Sequence, residues 1–469
     1  MERKGLHIHH IYVVFLLMTI GLVACSQVEG VSDSPSDNAA VPIAFDTYLQ
    51  QAKTTRTTFP NYPGNITLAE LKASSFGVSA YHSGNTPFTY SGSAYTPDDV
   101  FNFMYNQQVT WDNTNECWTY EPVKYWPNDN NPADYQGATG SQDHSYVSFY
   151  AYAPWVDETS LSSVTSSDNG IITISNNNTN AGESYLTYRT STNMKASETV
   201  DLLWATQPNL YKTKPTSEGF VSGRVPFHFI HALSRLTVVV QGLFDHTDNN
   251  DTSTEYPDDV DASTKILIES VAISSPTINR EGRMYLAPQP DDATVPYWTN
   301  LSTSGSLSFG SSNIQSSLLY TGNPADRTDA ATAKTDFDNL PTGVTHTEES
   351  LIEDAYPYFI FPPTTTNPQP FSVNIVYYTI TYDAHLILND PKYFSIVRNN
   401  VTYTSTQNIT FDANKTYTLR LQPGLTTVKF DVIEVDEWGS HIILAAEVKD
   451  WKVETREYDI NDDNTDITP

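Results

Sequence analysis

The sequence predicts an all-β protein built from β-sandwiches, and three observations carry that reading. Tyr, Thr, Ser and Asn abound, with 29 tyrosines alone, a composition that suits pleated sheet and the polar loops between strands. Apolar residues recur at alternate positions, the period of a strand with one buried face. Long amphipathic helical patterns are scarce, and turn-forming residues separate the alternating runs.

The chain begins with a positively charged "MERK", followed by an apolar stretch from Ile11 to Ala24. That stretch falls short of the about 20 apolar residues a membrane-crossing helix needs. It fits the apolar part of a secretory signal. It closes on "LVAC", Leu22 to Cys25, which looks like a bacterial lipobox, where the cysteine thiol receives diacylglycerol before cleavage. Residues 1–24 are therefore expected to be a lipoprotein signal peptide. Cys25 would be the lipid anchor, and its acyl chains the attachment to the outer membrane. With Cys25 used in this way, Cys117 in "ECWTYEP" has no partner in the chain, so a buried inert thiol is expected and no disulfide framework.

The mature chain, 469 residues less 24, has room for two or three domains. Without the signal's one acid and two bases the formal charge moves from −30 to −31. A surface this acidic repels phosphate backbones, which excludes nucleic acid as a partner.

Residues 26–40 form a polar tether without periodicity. In the next stretch, 41–49, Val41, Ile43, Phe45, Thr47 and Leu49 alternate with smaller or polar neighbours, as in a strand with one face buried. The polar run "QQAKTTRTT" follows at once, and Lys53 and Arg56 make it a soft target for a trypsin-like protease. Strands come next from Phe76, in "FNFMYNQQVTW" and in "YVSFYAYAPW". In the last of these Val147, Phe149 and Ala151 face one way, while Tyr146, Tyr150 and Tyr152 face the other. Pro122 and Pro127 stop any regular strand between them.

A polar, turn-rich stretch at 206–224 suggests a domain boundary near Gly219. In "VPFHFIHALSRLTVVVQG" Val225, Phe227 and Phe229 share one parity, whereas Leu236, Val238 and Val240 share the other. A bend around "HALSR" is expected to return both sets to one core. Further strands read "KILIESVAI", "YPYFIFPP", "FSVNIVYYTITY", "TYTLRLQPG" and "TVKFDVIEV", with polar inserts at 245–263 and 299–349 expected as surface loops. Near the end Ile442, Leu444, Ala446 and Val448 alternate, and Trp451, Val453 and Thr455 alternate on the opposite parity. A kink near Lys449–Asp450 is expected between them.

The chain carries no nucleophile elbow, zinc-protease motif, phosphate loop or paired-cysteine motif. His228 and His231 lie three apart on an expected strand, so they point to opposite faces and do not share a metal. Two acidic segments, 245–259 and 459–466, imitate calcium loops but lack the glycine at the sixth position. The Trp and Tyr cluster at 111–126 is a candidate surface for stacking on sugars, with packing as the plainer reading. No enzymatic activity, metal or cofactor is expected.

Taken together, "LVAC", "PIAF" ahead of "TTR", "WTYEPVKYWP", "VSFYAYAPW", "DLLWA", "FHFIHALSRLTVVV" and "VKDW", in that order along the chain, resemble the fimbrillin family. These are the Bacteroidales type V pilins, with FimA-like and Mfa-like lipoprotein subunits. The resemblance implies two transthyretin-like β-sandwich domains in tandem, at 57–219 and 220–469. It implies that residues 25–56 are a tether plus a removable first strand, cut by a trypsin-like protease after Arg56 and before Thr57, with Lys53 as second choice. The vacated groove would then accept the C-terminal strand of another subunit, about residues 441–460, which includes Ile442, Leu444, Ala446, Val448, Trp451, Val453 and Thr455. The partners so implied are other fimbrial subunits, the maturation protease and the outer membrane, with a host or glycan receptor beyond them. The rival reading is a surface-anchored binding lipoprotein, or a fimbrial tip adhesin, for glycan or host protein.

The physics of an emptied strand position is compatible with that scheme. Removing an inward-facing strand leaves unpaired backbone groups along a groove, a directional acceptor for β-strand addition. A head-to-tail contact of this kind does not close on itself and so propagates a filament.

Overall fold

Alternating apolar residues place most of the chain in strands. The computed structural model describes residues 41–45, 68–84, 87, 102–127, 144–165, 168–175, 185–191, 198–212, 223–242, 260–289, 292–352, 358–360, 369–409, 411–424, 428–437, 441–442, 446–449 and 452–459. The first elements are β1 (Ala44–Phe45), helix α1 (Leu68–Ser74), β2 (Phe76–Gly84), β3 (Met104–Asp112), β4 (Cys117–Thr119) and β5 (Tyr146–Ala153). Then come β6 (Gly170–Ser175), β7 (Tyr185–Arg189), β8 (Leu203–Leu210), β9 (Arg224–Val225), β10 (Phe227–His231) and β11 (Ser234–Val240). The long strands β12 (Thr264–Gln289) and β13 (Asp292–Phe309) precede helix α2 (Ala330–Asp338). The series continues with β14 (Glu349–Ser350), β15 (Tyr358–Ile360), β16 (Gln369–Tyr382), β17 (Phe394–Ile409) and β18 (Thr416–Pro423). It ends with β19 (Val428–Glu437), β20 (His441–Ile442), β21 (Ala446–Lys449) and β22 (Lys452–Asp459). No helix among the described residues is long and apolar enough to cross a membrane.

The fold is all-β and mostly antiparallel. One sheet has the order β20-β21-β10-β8-β5-β2-β3-β4, and β1 pairs with β9 beside it. A second runs β14-β11-β18-β19-β22, with β15 also on β11. A third runs β17-β16-β12-β7-β6, with β13 on β12. Among the described strands, the parallel pairs are β1–β9, β10–β21 and β11–β18.

Strand β5 shows why both of its faces are apolar: it is covered on both sides, and every residue of it is buried. Val147, Phe149, Ala151 and Ala153 enter a core with Phe76, Phe227 and Phe229. Tyr150 and Tyr152 enter another, with Tyr188, Trp204, Met284 and Trp298. A third core joins residues of β11, β12, β16 and β18, among them Val238, Ile268, Ile375 and Leu419.

Three expectations need correction. The parity change at "HALSR" does not return both sets to one core. Phe227 and Phe229 enter the first core, whereas Leu236, Val238 and Val240 enter the third. Alternation tells which side of a strand is buried, not which sheet buries it, and Ala232–Leu233 is where the chain passes between sheets.

The stretch 299–349 is not a surface loop. After the end of β13 it buries Ile314, Leu318, Ala333, Phe337 and Val344. Helix α2 lies within it, capped by the Asp329 carboxylate, which accepts from the Thr332 N–H at 2.8 Å. Isolated bridges such as Ile314–Ile352 hold the rest, so its apolar residues follow no period that a sequence scan detects.

Cys117, at the start of β4, is half-buried and disulfide-bonded rather than a lone buried thiol. The chain's other cysteine, Cys25, lies outside the described residues.

Candidate functional site

Residues 41–45 lie in a slot with backbone on both sides. On one side, the Ile43 N–H donates to the Lys124 carbonyl at 2.9 Å, and the Trp126 N–H donates to the Val41 carbonyl at 2.9 Å. Pro42 and Tyr125 form an antiparallel bridge between these bonds. On the other side, Ala44 and Phe45 run parallel to Arg224 and Val225, and the Ala44 N–H donates to the Gly223 carbonyl at 3.2 Å. Successive backbone groups of an extended chain point to opposite sides, so a five-residue segment satisfies two walls at once.

The inward side chains anchor it. Ile43 is fully buried and Phe45 is 3 % exposed. The Phe45 ring stacks on Phe227 with centroids 5.7 Å apart and meets Phe76, Tyr120 and Phe149 at 6.1, 5.3 and 6.4 Å. Val41 packs half-buried against the same core. Ala44 is buried as well, against the second wall, so the alternation marks the anchors but not the whole buried set.

Two aromatic residues brace the slot. The Tyr120 hydroxyl donates to the Ile43 carbonyl at 2.9 Å and accepts from the Lys124 N–H at 3.2 Å. Burial pushes the Tyr120 phenol well above the usual tyrosine value, so it stays a protonated donor past the pH at which an exposed tyrosine ionises. The Trp126 indole Nε1 donates to the Gly223 carbonyl at 2.7 Å and ties one wall to the other. Gly223 sits at φ +90°, and a Cβ there would stand 2.7 Å from the Val41 Cγ1. The close passage of Val41 needs a residue without one.

The predicted site residues divide as follows. Val41, Ile43 and Phe45 are brought together in the slot, while Thr47, Leu49, Lys53, Arg56, Thr57 and Cys25 lie outside the described residues. Of the predicted donor residues, Ile442 is in β20, Ala446 and Val448 are in β21, and Val453 and Thr455 are in β22; Leu444 and Trp451 lie outside. Strand β21 ends at Lys449 and β22 starts at Lys452 in another sheet, where the sequence placed a kink. Strand β21 pairs in parallel with β10, with Phe227, His228 and Phe229 opposite Ala446, Glu447 and Val448.

Sequence reasoning missed the walls, Lys124–Trp126 and Gly223–Val225. The signal it had was the aromatic cluster at 111–126, considered as a sugar platform. Within it Trp118, Tyr120 and Trp126 are buried in the first core, whereas Trp111 is half-buried and Tyr125 is 43 % exposed. His231 is buried, with its Nδ1 2.8 Å from the Asp201 carboxylate. Among the described residues, no cluster of three metal-ligating side chains occurs.

No family model matches this chain, and no curated protein matches it. Solved structures do. Its structural neighbours are fimbrial proteins of the Bacteroidales. A fimbrial protein from Bacteroides vulgatus is 18% identical, with 84% of this chain and 98% of that one covered at a TM-score of 0.47. The fimbrial anchor protein Mfa2 from Porphyromonas gingivalis is 10% identical, covering 87% of this chain and 99% of that one at 0.29. A fimbrial assembly protein from Parabacteroides distasonis is 8% identical, covering 84% and 96% at 0.28. These superpositions are loose, so the functional reading rests on the slot itself.

Proposed function

We propose that this protein is a non-enzymatic structural subunit of a cell-surface fimbrium, and that residues 41–49, of which 41–45 are those described in the slot, are a removable strand whose place is later taken by a strand from another subunit. The observation that carries the reading is a segment seated between two walls and followed, a few residues on, by the basic pair Lys53 and Arg56. A permanent first strand needs no such cut site; a removable one does.

The energetics suit exchange. Burying Ile43 and Phe45 contributes roughly 1.5–3 kcal/mol each, an upper estimate. The backbone bonds add about 0.5–1.5 kcal/mol each. While the linker is intact, this modest hold acts within one molecule, at a millimolar-scale effective concentration. A cut after Arg56 removes that advantage and leaves the leader as a separate, dissociable peptide. The emptied slot then exposes the buried Phe76, Phe149 and Phe227 and the carbonyls of Lys124 and Gly223, a specific acceptor for an incoming strand.

The anchoring reading is acylation of Cys25 and retention at the outer membrane. Acylation would consume the one cysteine able to pair with Cys117 within the chain, so the acyl anchor and an intrachain disulfide are alternative fates of one sulfur.

Mild trypsin treatment of residues 26–469 tests the assembly. Cleavage near Arg56 is expected to yield ladders of oligomers on a gel, and removal of 452–469 to abolish them. A trimmed protein that stays monomeric overturns strand exchange, and glycan binding by that monomer would establish the rival, adhesin reading.

A further inference from the structure

The leader and the C-terminal tail lie end to end along one acceptor line. Ala44 and Phe45 run parallel to Arg224 and Val225, and Ala446 to Val448 run parallel to Phe227 to Phe229. Pro226 separates the two pairings and has no N–H to offer either. On its other side, β10 is covered by β8 through Ile230 and His231. The chain's own tail therefore extends the sheet that the leader borders.

We propose that β21 is an intramolecular cap: in the uncleaved protein the chain's own tail covers β10 and competes with any tail arriving from a second copy. The cap deepens the strand-exchange reading and rests on it for its consequence, though not for its geometry. A tail that extended this pairing upstream from Ala446 would run toward Arg224 and Val225, the positions that Ala44 and Phe45 hold. Strand β20 opposes this advance, because His441 and Ile442 fold back onto Lys449 and Val448. After leader loss the tail thus has two outcomes, self-closure or donation to a neighbour. The apparent affinity of the slot for a second copy's tail falls by the fraction of time that the first tail occupies it.

Hydrogen exchange on the uncleaved chain tests the cap separately from strand exchange. In a parallel pair, alternate residues direct their backbone groups toward the partner, so replacing both Glu447 and Val448 with proline removes a bond to β10 whichever residue makes it. At concentrations where the protein is monomeric, amides within 227–229 are expected to exchange at least about tenfold slower in the wild type than in Glu447→Pro/Val448→Pro, with β12 and β16 unchanged. Equal exchange in the two proteins overturns the cap. So does protection that grows with protein concentration, since the covering tail then belongs to another molecule. If the proline variant fails to fold, a His228→Cys/Glu447→Cys pair in a Cys117→Ser chain that begins after Cys25 decides instead. A crosslink within one monomer supports the cap, and a dimer or no crosslink overturns it. Failure of the trypsin ladder leaves each of these outcomes intact.

Discussion

The Trp126 indole Nε1 donates to the Gly223 carbonyl at 2.7 Å across 97 residues of sequence. That bond joins the walls between which residues 41–45 lie, and the same carbonyl accepts from the Ala44 N–H. The leader is therefore fastened to the point at which the slot is itself held closed.

Gly223→Ala is expected to loosen the leader. The added Cβ meets Val41, and alanine at φ +90° is strained at a cost of about 1–3 kcal/mol. A lower melting temperature, together with faster proteolysis at Lys53 or Arg56, is the expected result. Unchanged values for both would mean that Val41 is not held in the slot.

Phe45→Ala removes a ring packed among four others and should cost about 3–5 kcal/mol in the uncleaved protein. Once the leader has been cut and lost, variant and wild type are the same molecule. Their urea midpoints should then coincide, and a difference that persisted would show that the leader had stayed bound.

Tyr120→Phe deletes the hydroxyl bonded to the Ile43 carbonyl and should cost about 1 kcal/mol. The wild-type phenol also sets a pH limit. Its folded-state value is raised by burial, so the unfolded chain gives up this proton first. Stability from this group is complete below the ordinary tyrosine value of about 10 and is lost as pH rises beyond it. Other buried phenols such as Tyr152 and Tyr188 are raised in the same way, so the expected result is a fall in melting temperature above about pH 10 that is smaller in Tyr120→Phe than in the wild type.

Replacing Lys53 and Arg56 together with glutamine should leave the leader attached and the protein monomeric under mild trypsin. Oligomer ladders from this uncut variant would break the order of events, with cleavage before exchange.

Cys25→Ala should abolish incorporation of labelled palmitate and release the protein from membranes. In the exported wild type the intact mass is expected to carry the acyl groups on Cys25. An exported chain carrying an intrachain disulfide and no lipid would sink the anchor.

Much of the fold was legible because burial on one face writes a period of two into the residues. The sequence set Val147, Phe149 and Ala151 on one face of a strand and Tyr150 and Tyr152 on the other, and the structure places the two sets in different cores. The interval around Ile314, Leu318 and α2 was illegible because its buried residues are held by single bridges and a short helix, with no repeating spacing. "HALSR" was legible as a break in parity but not as a passage between cores.

At the slot the division is sharper. Local spacing alone marked Ile43 and Phe45 as inward-facing, since a side chain's face follows from its position on its own strand. What stands beside them was settled in three dimensions: Lys124 and Trp126 on one side, Gly223 to Val225 on the other, and the chain's own tail on β10. Backbone pairing uses the N–H and C=O that nearly every residue carries, so a distant partner leaves no mark on the side-chain pattern, and only folding selects it.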